Sequence, residues 1–387
     1  MKGNQKTILL LLILTFALKL SVGFYFFQDY KIQNDAKDYY EYSEIIQEQG
    51  PFFTNIDGLE AFAPPGFPWI LALVMSISNW LGAVVILNAL FSTATVYLIY
   101  RIAQYILPQK WALVAAIYAI LFIPYYLYIG TILKESLLQF LVPLSVLLLF
   151  IALKSIKCIP WIALGLVLGY LCHTDERFLL MIPLYFMAIF VFNRHREWTY
   201  KWQRLVLLIF AIVIFSSPWF ARNYIVYERP ILVTERFQSP IDKALGIENR
   251  MNKRAKLYKD RLVVFRDSVQ SGFNPVPRMG RERALLKAMN EGLIPYDYSL
   301  AERIYFNLLG YWSPIRTRGI FIKSGWKYKE ARSLLQNGIY LVNYGILLPF
   351  LFFGIFGIIR RQNWIGLFLT SYLLIHSAIH ALLIFGS

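Results

Sequence analysis

The sequence predicts an all-α polytopic membrane protein of about nine transmembrane helices, with two extracytoplasmic loops that carry juxtamembrane helices. Three observations predict it. The chain of 387 residues is 58% hydrophobic and only 16% charged, with a mean hydropathy of +0.50, whereas soluble domains are about a quarter charged. Apolar runs long enough to cross ~30 Å of hydrocarbon recur along it. The short polar segments between these runs alternate between basic and nearly cation-free, as the positive-inside rule requires.

Each element follows from its run. The expected spans are 7–27, 83–104, 111–130, 135–153, 159–173, 177–193, 204–221, 337–359 and 364–385. The first, Thr7 to Phe27, is too long for a signal-peptide core and has no small-x-small cleavage site after it, so it is expected to stay as a helix. A tenth apolar run, Phe67 to Leu81, is short and follows Pro64-Pro65-Gly66. Charge decides its placement. With nine spans, the short inside segments carry Lys2, Lys6, Arg101, Lys110, Lys154, Lys157, Arg194, Arg196, Lys201, Arg204, Arg360 and Arg361. The short outside segments then carry only Lys31, Lys37, Lys134 and Arg177. Counting 67–81 as a tenth span reverses this bias, so it reads as a juxtamembrane element.

The organisation that follows is a core at 1–221, which includes an outer loop at 28–66, then a basic outer segment at 222–335, and two last helices within 336–387. The location is a multi-pass cell (inner) membrane. The formal net charge of +16 does not indicate nucleic acid, because it is unevenly distributed. Residues 222–332 hold 22 Lys/Arg against 11 Asp/Glu, whereas 28–66 hold 8 Asp/Glu against 2 Lys. Such a division suits an anionic headgroup or phosphate. Cys158 and Cys172 lie at opposite ends of one expected helix and cannot pair.

The residues with chemistry fall on the predicted outer side. Asp35 precedes Tyr39 by one helical turn, so the two share a face. Asp35 serves equally as a reacting carboxylate or as an N-cap. Tyr39, Ser43, Ile45 and Ile46 form an amphipathic stripe suited to the membrane surface, with Asp38, Glu41, Glu44 and Glu48 on the solvated face. Lys134-Glu135-Ser136 interrupts two apolar runs, either as an ion pair marking a helix end or as part of a site. His173, Asp175, Glu176 and Arg177 form a third polar turn. A divalent metal there stays open, and no cofactor is certain. His376 and His380, at i and i+4 on the last span, suit interhelical hydrogen bonds better than a zinc site. Pro218 distorts the end of the seventh span, Trp219 anchors it at the interface, and Arg222 offers a planar fork to phosphate or simply snorkels. Lys19 is an intramembrane charge of lower rank that snorkels if it has no partner.

Taken together, these motifs resemble the C-type membrane glycosyltransferases that use polyprenyl-phosphate sugars. The likeness is to the branch related to protein O-mannosyltransferases and lipid A aminoarabinose transferases. It rests on Asp35-Ala36 with Tyr39, Ser43 and Ile46, on Pro64-Pro65-Gly66-Phe67-Pro68, on Glu135-Ser136, on Arg177-Phe178, and on Pro218-Trp219 followed by Arg222-Asn223-Tyr224. These occur in family order over roughly residues 5–235. The resemblance implies that Asp35 is the catalytic base and that Glu135 helps organise the site. It also implies that Arg222 and Arg177 bind the donor phosphate. Tyr39, Glu60, Lys134 and Asp175 are expected supports of the acceptor or site. The implied reaction inverts the anomeric carbon, takes a polyprenyl-phosphate sugar among membrane lipids as donor, and serves an acceptor of unknown identity outside the cytoplasm.

The chain departs from the pattern where Phe62-Ala63 stands in place of a Glu-Lys before the Pro-Pro, and where Ala36 stands in place of a second acid after Asp35. The 222–335 segment carries no strong resemblance; Ala284, Leu285, Leu286, Ala288 and Met289 suggest one helix within it. Two rival classes fit parts of the same pattern. One is a transporter or flippase of an anionic lipid or saccharide; the other is an O-antigen polymerase or ligase.

Overall fold

The computed structural model describes residues 2–33, 35–54, 64–78, 80–228, 230–234 and 364–383. Among the described residues there are ten α-helices and no strand. They are α1 (Lys2–Phe27), α2 (Asp35–Gln49), α3 (Gly66–Ile77), α4 (Gly82–Ala103), α5 (Gln109–Leu121), α6 (Glu135–Lys154), α7 (Ile159–Thr174), α8 (Ile182–Phe192), α9 (Trp198–Tyr227) and α10 (Trp364–Leu383). Two 3-10 turns, Ile123–Tyr125 and Glu176–Met181, precede the segments that lead into α6 and α8.

Among the described residues, four helices are long and apolar enough to cross a membrane: Lys6–Phe27, Gly82–Ala103, Glu135–Lys154 and Trp198–Tyr227. Several expected spans differ from their predicted bounds. The run at 111–130 is α-helical only to Leu121: Phe122 turns extended at ψ 98°, and Pro124 then sits in the first turn of the 3-10 helix Ile123–Tyr125. The run at 177–193 divides into a 3-10 turn and the 11-residue α8, with Pro183 in its first turn. The seventh span runs past its expected end at 221, since α9 carries Pro218 internally and continues to Tyr227. α3 has 12 residues, about 18 Å of helix, and so is too short to cross the hydrocarbon. The expected span at 337–359, the helix near 284–289 and Glu60 all lie outside the described residues.

Lipid is as apolar as leucine, so helix association needs close packing and internal hydrogen bonds rather than burial alone. The core supplies both. α1, α4, α6, α7 and α9 pack in sequence, with α5 against α4 and α8 against α9. Gly165 lets α7 approach α9 so closely that a Cβ there would sit 2.5 Å from Ala211 Cβ. Ser145 on α6 and Tyr185 on α8 share a buried hydrogen bond of 2.6 Å. Basic residues hold the far end. Arg204 donates to the Ile156 carbonyl at 2.6 Å, and Lys154 Nζ lies 4.3 Å from the Tyr105 ring centre. Cys158 is exposed and Cys172 buried, and both are free thiols.

At the opposite end, the Pro-Pro-Gly run docks α3, and with it α2, onto α7. Pro64, Pro65 and Gly66 are buried. Tyr170 Oη donates to the Gly66 carbonyl at 2.8 Å. A Cβ on Gly66 would meet Thr174 Oγ1 at 2.5 Å and the His173 carbonyl oxygen at 2.7 Å. Backbone cannot retreat as a flexible side chain does. Gly66→Ala is therefore expected to destabilise the protein by about 1–3 kcal/mol, read as a lower melting temperature in detergent; an unchanged melt would show that this approach is not tight.

Candidate functional site

α2 begins at Asp35, whose side chain is exposed, and the helix sets two different faces. Ala36, Tyr39, Tyr42, Ser43 and Ile46 are buried, while Lys37, Glu44 and Glu48 point outward. The buried stripe does not lie on a lipid surface as its amphipathicity suggested; it packs on α3. Tyr39 meets Phe67 edge-on with ring centres 5.4 Å apart. Gln47 Nε2 donates to the Ala72 carbonyl at 3.3 Å. The cap position of α2 falls on Asn34, outside the described residues.

Two polar segments from distant parts of the chain meet beside this face. Asp175 stands at the cap of the Glu176–Met181 turn, where its Oδ1 accepts from the Arg177 backbone N–H at 3.1 Å. The same carboxylate accepts from Arg177 Nε at 2.7 Å and from Arg177 Nη2, and forms an ion pair with Lys134 Nζ at 3.0 Å. Its side chain is 1% exposed, against 15% for Lys134 and 29% for Arg177. Asp175 thus ties the 130–135 turn to the 173–177 turn. Burial opposes its charge, but the Arg177 hydrogen bonds and the Lys134 ammonium outweigh burial and hold the carboxyl well below the usual carboxylate range. Burial likewise opposes the Lys134 charge, and Asp175 reverses the balance, raising Lys134 above its ordinary value.

The Tyr39 hydroxyl sits in the field of this group. Burial pushes it upward, and the charges of Lys134, Glu135, Asp35 and Asp175 all act on it. Asp35 and Asp175 also act on Glu135. Lys134, Asp175 and Arg177 are thus in direct contact, and the charges of Asp35, Glu135 and Asp175 reach the Tyr39 hydroxyl beside them. Asp38, one turn along α2, is raised by partial burial and then by the neighbouring charges of Asp35 and Glu41.

Arg222 occupies a different pocket. It is 2% exposed. Its Nε donates to the Phe53 carbonyl at 2.7 Å, and its Nη1 donates to Asn223 Oδ1 at 3.0 Å. Its guanidinium lies over the Phe53 and Trp219 rings at 4.7 and 4.8 Å. It does not snorkel; it fastens the chain after α2 to α9. Asn223 extends the same anchorage by donating to the Ile231 and Val233 carbonyls at 3.1 and 3.2 Å.

His173 is fully buried, with Nδ1 2.8 Å from the Gly169 carbonyl and its ring stacked on Trp69 at 5.7 Å. Among the described residues, no group of three His, Cys, Asp or Glu side chains could hold a metal ion. His376 stacks on Phe178 at 5.3 Å and so brings α10 against the Asp175 turn; the His380 side chain lies outside the described residues. Glu176, buried at 7% exposure, acts electrostatically on Lys134 and Arg177. Sequence reasoning placed it in the polar turn but did not rank it; its burial is a tertiary property that no local pattern carries.

Lys19 does not snorkel either. It is fully buried, and its Nζ donates to Ser92 O at 2.8 Å and to Ser92 Oγ at 2.7 Å. Asn88, one turn before Ser92 on α4, is another buried polar residue that sequence reasoning passed over. A lone amide within an apolar span was the available signal.

No curated protein matches the chain. Residues 63–220, from just before the Pro-Pro-Gly run into α9, match the family model described as dolichyl-phosphate-mannose-protein mannosyltransferase, over less than half of the chain.

Proposed function

We propose that the chain is an inverting glycosyltransferase that moves one sugar from a polyprenyl-phosphate donor to an acceptor on the extracytoplasmic side. Mannose is the sugar named by the matched family and the first donor to try. The observation that carries this reading is the exposed Asp35 carboxylate, whose charge reaches Tyr39 and Glu135, together with the half-buried Lys134–Asp175–Arg177 ion cluster that adjoins Glu135. A transferring sugar needs an anion on the acceptor side and cations on the leaving-group side. One rim of the bundle offers both.

In this reading the acceptor hydroxyl or amine gives its proton to Asp35 as its lone pair attacks the anomeric carbon. The bond from that carbon to the phosphate oxygen breaks, and the electron pair leaves with polyprenyl phosphate. Arg177 faces the leaving phosphate, because its side chain is the more exposed of the two cations on Asp175. Arg222 is the second cation assigned to the phosphate end, and reaching it requires the Phe53 carbonyl to move aside. Glu135 shapes the field at the Tyr39 hydroxyl, and Asp175 holds Lys134 and Arg177 in place before substrate arrives.

Two outcomes test the assignments. Purified protein supplied with a polyprenyl-phosphate mannose and candidate acceptors should release polyprenyl phosphate and form a glycoside. Asp35→Asn should lower that turnover by ~10²–10⁴-fold, the range of a lost general base, with donor binding retained. Full turnover by the Asn variant would remove Asp35 from that role. Asp175→Asn should cost about 3–5 kcal/mol, because two cations lose their counter-ion. A carboxyl depressed in the folded state stabilises above its unfolded value and loses that contribution as pH falls through the folded one. The melting-temperature gap between wild type and Asp175→Asn should therefore be full at neutral pH and narrow once pH falls below about 4; a gap independent of pH would contradict the ion cluster.

A further inference from the structure

The segment between α5 and α6, Phe122 to Lys134, is irregular after its 3-10 turn, yet it is deeply packed, with Leu127 7% exposed and Ile129 and Ile132 fully buried. Irregular backbone at this depth needs internal partners for its carbonyls. Two residues on α4 supply them. Asn88 Nδ2 lies 2.9, 3.2 and 3.4 Å from the carbonyls of Thr131, Ile129 and Tyr128. Ser92 Oγ donates to the Tyr125 carbonyl at 2.9 Å. The Tyr30 hydroxyl accepts from the Ile132 N–H at 3.3 Å.

Lys19 stands behind this arrangement. Its ammonium donates to Ser92 Oγ, leaving the hydroxyl proton of Ser92 to point at Tyr125. Its Nζ also lies 5.6 and 5.2 Å from the ring centres of Tyr125 and Tyr126. A charge within a span costs about 2.5–3.5 kcal/mol on insertion scales, so one without a function is not expected to persist. Its hydroxyl, carbonyl and ring partners all belong to the segment or to the residue that holds it. The segment ends at Lys134 and Glu135, the two site residues that α6 presents at its start.

We propose that Lys19 is a positioning residue for the site: through Ser92, and together with Asn88, it sets the placement of the Phe122–Lys134 segment and hence of Lys134 and Glu135. The structural arm of this inference stands on the geometry alone; only its turnover arm rests on the glycosyltransferase reading.

Lys19→Met keeps an unbranched side chain of similar length and removes the ammonium. In a Cys158→Ser background, the accessibility of a cysteine introduced by Thr131→Cys reports the segment, and one introduced by Ser145→Cys reports the distant α6–α8 contact. Lys19→Met should raise maleimide labelling at position 131 about tenfold, as expected for local opening, and leave labelling at 145 and the melting temperature unchanged. With polyprenyl-phosphate mannose as the probe, it should lower kcat about tenfold at constant KM, as misplaced site residues do. Equal gains in labelling at 131 and 145, or wild-type labelling at both, would overturn the proposal. If Lys19→Met does not fold, Ser92→Ala carries the same measurements, because it removes the hydroxyl between the ammonium and Tyr125. Selective labelling at 131 in protein that transfers no sugar, mutated or not, would uphold the positioning role and count against the glycosyltransferase reading instead.

Discussion

The Asp175 carboxylate is the contact on which the site end of this bundle depends. It caps its own turn, binds the Arg177 fork two residues on, and reaches Lys134 on a segment forty residues earlier. Without that anion, two cations would face each other at low exposure. With it, the start of α6, the end of α7 and the Tyr39 face of α2 share one field. The Pro64–Gly66 run completes the arrangement from below, because only a residue without a Cβ lets it lie against the His173 carbonyl.

Much of this was legible in the sequence. Hydropathy located the apolar runs that became α1, α4, α6 and α9, and charge counting assigned 28–66, the Gly130–Glu135 turn and the His173–Arg177 turn to one side. The structure brings residues from all three segments within reach of one another's charge. α3 is short, but so are α5 and α8, so helix length does not by itself yield the expected count of nine spans. Period and charge report such features because both are properties of single segments.

What hydropathy missed has one physical cause: it sums composition and is blind to where backbone hydrogen bonds go. The stretch from Phe122 to Lys134 is apolar enough to look like the end of a span. The chain leaves α5 at Phe122, and the carbonyls beyond are satisfied from Asn88 and Ser92 on another helix. Lys19 was ranked low for the same reason. A lysine in an apolar helix reads as a snorkelling charge until its partners are known, and those partners lie 73 residues away. Arg222 shows the converse. Its motif position gives no hint of the tertiary packing that wraps it around the Phe53 carbonyl.

The central claim is a direct displacement at the anomeric carbon, with Asp35 on one side and the cations held by Asp175 on the other. The stereochemistry of the product tests it most directly. Transfer from a donor of defined anomeric configuration, followed by proton NMR of the product, should show complete inversion. Retention would require a covalent sugar–enzyme intermediate and would contradict the account.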